Sequence, residues 1–430
     1  MRPARIFIQT FGCRVNQYES DMMRDRLAAS HELTATDPEI VLLNACTVTA
    51  LAERKARQAA RRLRRLHPHV TIVLIGCLAD AVDRGLTRFD EADLLAGNAW
   101  KPHVGDVIQR ALSGMQGLLP TRAAGSLADE HSGGPSDRVR AFLKIQDGCS
   151  RACTYCRTTQ VRGASRSKPL EAVIGEARDL LDGGFPEIVL TGINLAEYAS
   201  NEHRLPDVIG ALADLTRLRR LRLASLDPGA FTEALIRGCA DRSVVSPHFH
   251  IPLQSGDDGV LRAMQRGYSV HSYLETVERI RHRIPHATFG TDLIVGFPGE
   301  DEGAFEHTLA CVERVGYSNL HVFRYSPRPG TSAATHRGVS ATVQRARCER
   351  LSKRWEATLA RTLDNRIGTT QDVLVEEHRE AVGRGYTHDY VHVTFHSERR
   401  IPIGSISPVR IIGRTGPTLE GVDDDRDDTR

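Results

Sequence analysis

Long apolar runs are missing from this chain of 430 residues. No stretch approaches the roughly 18 residues that a membrane-spanning helix needs, so no membrane partner is expected. The amino terminus also lacks the apolar core and small-residue cleavage site of a secretory signal, since MRPARIFIQTFGC passes from two arginines straight into an alternating, strand-like run. A cytoplasmic location is the expectation. Aromatics are few at 5%, but 40% hydrophobic and 26% charged residues exclude a disordered or fibrous chain and fit a globular one. Nor is there an excess of one charge: 57 basic residues against 54 acidic ones leave +3, which demands no polyanion. The last ten residues, GVDDDRDDTR, hold five aspartates and two arginines, so 421–430 reads as a solvated acidic tail and the body carries about +6, a balance compatible with nucleic acid. An even number of cysteines is lacking too. Nine thiols in a chain read as cytoplasmic point to metal ligands or buried groups rather than disulfides.

The length allows about three domains, and the periodicities divide accordingly. Strand-like runs at 5–10, 39–44 and 70–76 alternate with helical patterns at 16–29 and 50–66, a βαβαβ order. Cys13, Cys46 and Cys77 follow those three strands closely, spaced by 33 and 31 residues. Parallel strands end on one edge of a sheet, so the three thiols should converge there. The span 113–137, rich in Gly, Ser and Pro, reads as a linker. Strand candidates at 139–145, 187–191, 221–225, 248–252, 288–295 and 319–325 then make a partial (β/α)6 barrel. A helix over 341–365 leads into the short alternating runs of a small β module. The fold class expected is α/β, with an open parallel amino-terminal domain, the partial barrel and a small carboxyl-terminal β-barrel.

The strongest local signal is Cys149-Ser150-Arg151-Ala152-Cys153-Thr154-Tyr155-Cys156, placed just after a strand. Three thiolates hold three corners of a cubane 4Fe-4S cluster and leave one iron open for a substrate. Zinc is the other metal that thiolates bind, but a closed structural zinc takes four ligands, usually as two separated pairs.

Here the chain resembles the radical S-adenosylmethionine superfamily. The motifs FGCRVNQYES (11–20), NACTVT (44–49), LTGIN (190–194), ASLDP (224–228), HIPLQSG (250–256) and DLIVGFPGE (292–300) are similar to those of its methylthiotransferase family, with Arg-Val-Asn-Gln after the first cysteine most like the threonylcarbamoyladenosine branch. The resemblance implies a transferase that inserts a methylthio group at carbon 2 of that adenosine, 3′ of the tRNA anticodon, through a 5′-deoxyadenosyl radical. It also implies a cluster on Cys149, Cys153 and Cys156 that binds S-adenosylmethionine, and a second 4Fe-4S cluster on Cys13, Cys46 and Cys77 that carries sulfur. Carried over by position, Tyr155 lies against adenine, Thr191 and Gly192 meet the amino end of S-adenosylmethionine, and Gln254, Asp292 and Gly296 line its ribose and adenine side. An external electron donor such as flavodoxin or ferredoxin, and a sulfur donor, are implied as partners. After the third cysteine, Arg162, Gly163, Arg166 and Ser167 fit the family pattern, whereas Arg157 to Gln160 depart from it.

On this reading 1–112 is the first domain, 138–345 the radical domain, 346–366 a connecting helix and 367–420 a module that resembles the tRNA-binding TRAM domain, an OB-like barrel. The helix after Cys46 carries Arg54, Lys55, Arg57, Arg61, Arg62, Arg64 and Arg65, read as phosphate-positioning groups. Cys239, Cys311 and Cys348 are packing thiols. The alternatives are the same chemistry on a ribosomal-protein aspartate, or a non-catalytic RNA-binding iron-sulfur protein.

Overall fold

The computed structural model describes residues 3–134 and 137–424. Its first unit is a parallel sheet in which Arg5–Phe11 pairs with Ile40–Ala45, and Ile40–Ala45 with Thr71–Ile75, continued by Leu94–Ala96. All six residues of Ile40–Ala45 are buried, as a central parallel strand covered on both faces requires. Helix Ala50–Leu66 starts where the Thr49 side chain accepts from Ala52 N–H, and it lays a stripe of Ala52, Ala56 and Ala60 on the sheet.

The second unit has six parallel strands in two groups of three. Arg140–Lys144, Glu187–Thr191 and Arg220–Leu223 form one; His248–His250, Thr288–Val295 and Asn319–Arg324 form the other. A parallel bridge from Leu221 to Val245 links them. Alternate residues of these strands, such as Leu143, Ile188 and Leu221, pack outward into the helices, and the others line the lumen.

The third unit is a closed five-stranded barrel over Thr370–Asp423. It is docked under the radical barrel rather than tethered to it. Arg220 donates to the carbonyls of Tyr386 (3.0 Å) and Asp372 (2.7 Å), Arg222 to that of His388 (3.2 Å), and Thr288 Oγ1 to that of Asp389 (2.7 Å). Tyr390 stacks on Tyr386 at 4.8 Å and lies 5.1 Å from the His248 ring.

Two expected boundaries move. The span 113–137 is no free spacer: Gly117–Leu118 joins the first sheet, and Leu119, Leu127, Glu130 and Ser132 are buried. The helix expected over 341–365 is observed over Ala341–Asp364, and it serves both cores, with Leu351 in that of the radical barrel and Leu359 and Leu363 in that of the terminal barrel. Of the expected acidic tail, 421–423 complete the last strand, because Val422 and its neighbours have ladder partners; 425–430 lie outside the described residues. Among the described residues no helix is long and apolar enough to cross a membrane.

Candidate active site

Cys13 caps helix Arg14–Ala28 directly after the first strand, Cys46 follows Ile40–Ala45, and Cys77 opens helix Cys77–Asp83 after Thr71–Ile75. Because the three strands are adjacent and parallel, the thiols gather at one sheet edge. Cys46 N–H donates to the Phe11 carbonyl at 3.1 Å. Gly12 between them has φ +120°, and a Cβ there would stand 2.4 Å from Cys46 Cβ, so no other residue fits this approach. Burial pushes the Cys46 thiol well up, and Cys77 and Cys13 push it further, which places all three in one electrostatic neighbourhood. Val48 N–H points at Cys46 Sγ (3.3 Å) and Asn98 Nδ2 at Cys77 Sγ (3.5 Å).

The second triad is built the same way. Gly148, with φ +74°, precedes Cys149, and a Cβ on it would fall 2.0 Å from the Ala164 carbonyl oxygen. Each sulfur has an N–H donor: Arg151 N–H at 3.4 Å from Cys149, Arg266 Nη1 at 3.3 Å from Cys153 and Thr158 N–H at 3.4 Å from Cys156. Arg266 is held in turn by Asp227 of the ASLDP motif at 3.0 Å, which also takes Arg151 at 2.9 Å. Burial pushes Cys149 up to about 11. Thiols that resist ionisation alone, yet have N–H groups aimed at their sulfurs, fit a metal that supplies the missing charge and a cluster whose sulfurs accept hydrogen bonds.

The two triads are joined across the domain boundary. Arg157, which follows Cys156, donates through Nη1 to Thr47 Oγ1 at 3.1 Å and to Glu53 at 3.3 Å, and through Nη2 to the Leu86 carbonyl at 3.1 Å. Arg328 donates to the Thr47 carbonyl at 2.8 Å and pairs with the same Glu53. Beside this lies a buried ionic cluster. Glu19 of FGCRVNQYES meets Arg162 (2.8 Å), Lys144 (2.8 Å) and Lys101, while Asp147 takes Arg162 (2.9 Å) and Lys144 (2.8 Å). Burial opposes a charge on Glu19, but Arg162, Lys101 and Lys144 hold its carboxyl well below the usual range. None of these roles was visible in the sequence, although Glu19 and Asp227 lie inside quoted motifs.

The other expected contacts are distributed around the lumen. Tyr155 is edge-on to Phe297 at 6.4 Å, in a small apolar cluster. Thr191 ends its strand fully buried, with no hydrogen-bond partner for Oγ1 among the described residues. Gly192 abuts Gln146, whose Oε1 accepts Asn194 N–H at 2.8 Å. Gln254 N–H bonds the Asp292 carbonyl at 2.8 Å. The Asp292 carboxylate sits between His250 (3.1 Å) and His321 (3.0 Å); burial opposes its charge, and those two hydrogen bonds hold it well below the usual range. Gly296 is built into its own loop, its N–H given to Glu300 at 2.6 Å and the space for a Cβ filled by Gln344. Cys239 and Cys311 are in the core of the radical barrel and Cys348 packs against it.

The basic helix is only partly what the run of arginines suggests. Arg57 and Arg61 are tied to Glu91, and Arg64 to Asp93, so these brace the fold. Arg54, Lys55, Arg62 and Arg65 are exposed and have no ion pair among the described residues.

Comparison with known proteins agrees with this architecture. The family model described as "Radical SAM superfamily" matches residues 143–312, and that described as "Uncharacterized protein family UPF0004" matches 5–97. The chain is 33% identical to the threonylcarbamoyladenosine tRNA methylthiotransferase MtaB of Thermotoga maritima over 421 residues, 94% of this chain and 93% of that protein. It is also 33% identical to the tRNA-2-methylthio-N(6)-dimethylallyladenosine synthase of Bartonella bacilliformis over 439 residues, covering 97% and 96%. The solved structure of the radical S-adenosylmethionine methyltransferase TsrM from Kitasatospora setae superposes with a TM-score of 0.57 at 13% identity, covering 77% of this chain and 75% of that one, a likeness of fold. A 4Fe-4S cluster and S-adenosylmethionine come with the superfamily. With the identity to both curated relatives running through all three units, the chain belongs to the radical S-adenosylmethionine methylthiotransferase family.

Proposed function

We propose that this enzyme inserts a methylthio group at carbon 2 of threonylcarbamoyladenosine 3′ of a tRNA anticodon. The nucleoside is read from Arg14-Val15-Asn16-Gln17 after the first cysteine, and the two-centre chemistry is supported by the hydrogen bond between Arg157 and Thr47, which sets one cysteine triad against the other across the domain boundary. Two such triads, one per domain, suit a reaction that must both activate a ring carbon and deliver sulfur to it.

Cys149, Cys153 and Cys156 hold the cluster that binds S-adenosylmethionine, and Cys13, Cys46 and Cys77 hold a second 4Fe-4S cluster. The cofactors supply radical activation of a carbon that is neither acidic nor electrophilic, together with the sulfur and the methyl group. The chain supplies position. Arg266, fixed by Asp227, holds Cys153 through its sulfur. Gly12 and Gly148 let the backbone of each ligand loop come close enough for its cysteines to converge. Glu19, Asp147, Arg162 and Lys144 close the domain boundary beside the triads with paired charges. Exposed Arg54, Lys55, Arg62 and Arg65 meet tRNA phosphates, which fix register without reading sequence. Tyr155, Thr191, Gly192, Gln254 and Asp292 line the S-adenosylmethionine side; Gly296, committed to Glu300 and Gln344, shapes that loop. A flavodoxin or ferredoxin delivers the electron, a separate donor renews the sulfur, and the reaction is cytoplasmic.

The test is mass spectrometry of tRNA nucleosides from cells with and without the gene. The 2-methylthio derivative of threonylcarbamoyladenosine should vanish with the gene and return with it; its persistence would reject the reading.

A further inference from the structure

Between the three units lies a cavity of about 680 Å³, walled by the inner faces of the first three barrel strands through Arg140, Phe142, Val189 and Arg222, and floored by Tyr390 of the terminal barrel. From the first unit Arg14 enters it, the residue next to Cys13. Almost every charge around this cavity is accounted for. Arg138 is bound to Asp21 at 2.6 Å and to Asp137 at 3.4 Å, Arg140 to Glu376, Arg222 to Glu187 at 2.9 Å, and Glu377 to Arg384 at 3.3 Å. Arg14 alone among the lining arginines has neither an ion pair nor a hydrogen bond among the described residues.

Its place in the helix makes this more notable. Arg14 is the first residue of helix Arg14–Ala28, whose first turn holds no acidic side chain. A guanidinium there faces the positive end of the helix dipole, an unfavourable arrangement without a counter-ion. An unpaired cation at such a point, half-buried in this cavity and next in sequence to Cys13, is complementary to an anion that arrives from outside.

We propose that Arg14 is a specificity-determining residue that binds the carboxylate on the substrate nucleoside. The inference rests on the reading that the substrate is threonylcarbamoyladenosine. The threonyl group on N6 ends in a free carboxylate, whereas the dimethylallyl group is neutral and apolar, so one guanidinium distinguishes them. Overall identity does not, since the chain is equally similar to a relative named for each nucleoside. The guanidinium fork takes a carboxylate in a bidentate pair.

The experiment measures equilibrium binding of the full-length, cluster-loaded protein to three synthetic anticodon stem-loops, carrying threonylcarbamoyladenosine, its neutral methyl ester, or dimethylallyladenosine. Wild type should bind the free acid about tenfold tighter than the ester or more, the value of one hydrogen-bonded charge pair. Arg14→Gln should abolish that preference while binding the ester as wild type does, and Arg14→Lys should keep part of it. Iron content equal to wild type certifies each variant. A wild type that prefers the acid together with an Arg14→Gln variant that keeps the preference, or that loses both stem-loops equally, would overturn the assignment of Arg14. A wild type that favours the dimethylallyl stem-loop would overturn the substrate reading itself.

Discussion

Arg157 Nη1 lies 3.1 Å from Thr47 Oγ1, so the residue after Cys156 is hydrogen-bonded to the residue after Cys46. Arg157 also belongs to the four-residue stretch in which this chain departs from the family pattern. The departure therefore coincides with a fully buried guanidinium that binds the first domain through Thr47, Glu53 and the Leu86 carbonyl and the radical domain through the Pro329 carbonyl at 2.9 Å.

Arg157→Met should therefore uncouple the two halves of the reaction. Glu53 keeps Arg328, but the Leu86 and Pro329 carbonyls lose their donor at about 1–3 kcal/mol each, enough to loosen the docked domains. The ratio of methylthiolated nucleoside to 5′-deoxyadenosine should fall about tenfold or more while 5′-deoxyadenosine still forms. An unchanged ratio in a folded variant would reduce Arg157 to a packing residue.

Reconstituted protein should hold about eight irons per chain, two cubanes each held by three cysteines. Gly12→Ala keeps every cysteine but forces Cys46 aside, so it should retain about four irons and 5′-deoxyadenosine formation and lose methylthiolation. Gly148→Ala should also retain about four irons and lose both activities. Iron analysis with product quantitation checks both, and about four irons in wild type would remove the second cluster.

Deleting the barrel after Gly368 should do more than weaken tRNA binding. It would strip Arg220, Arg222 and Thr288 of their carbonyl partners and open the floor of the lumen. Several buried polar groups left unpaired at about 1–3 kcal/mol each should lower the melting midpoint by many degrees. An unshifted midpoint with lost tRNA affinity would make the barrel a detachable binding module instead.

Stability should decline as pH falls from about 6.5 towards 4. Burial, with Arg220 and Arg222 nearby, holds His388 down to about 4, and burial with Arg222 and His250 holds His248 well below its ordinary value. Their folded pKa values lie below those of the unfolded chain, so the unfolded chain takes up protons first. The contribution is intact above the unfolded pKa and disappears as pH drops through the folded one. Denaturant titrations between pH 7.5 and 4.5 should show a shallower decline for His388→Gln; an identical slope would place the titrating groups elsewhere.

Much of this molecule was legible from residue order. Strand periodicity placed Thr288–Val295 and Glu187–Thr191 at their observed bounds, because buried parallel strands are runs of apolar residues that few other structures accommodate. The spacing of Cys13, Cys46 and Cys77 anticipated their common sheet edge, since each βα unit returns the chain to the same side. Local signals stopped there. The span 113–137 has the composition of a linker yet packs as structure, and the arginines of helix Ala50–Leu66 divide between Glu91, Asp93 and solvent, a division that sequence order cannot express.

The sequence by itself thus determined the elements, the two thiol triads and the family, all of which follow from spacing within a few residues or within one repeat. Only the tertiary structure decided what joins them. Arg157 reaches Thr47 across 110 positions and Arg328 reaches it across 281, and Arg14 is left without a counter-charge because the acids of three units turn to other arginines. A buried charge takes whichever partner the packed chain brings within about 3 Å, and packing, not order along the chain, sets that distance.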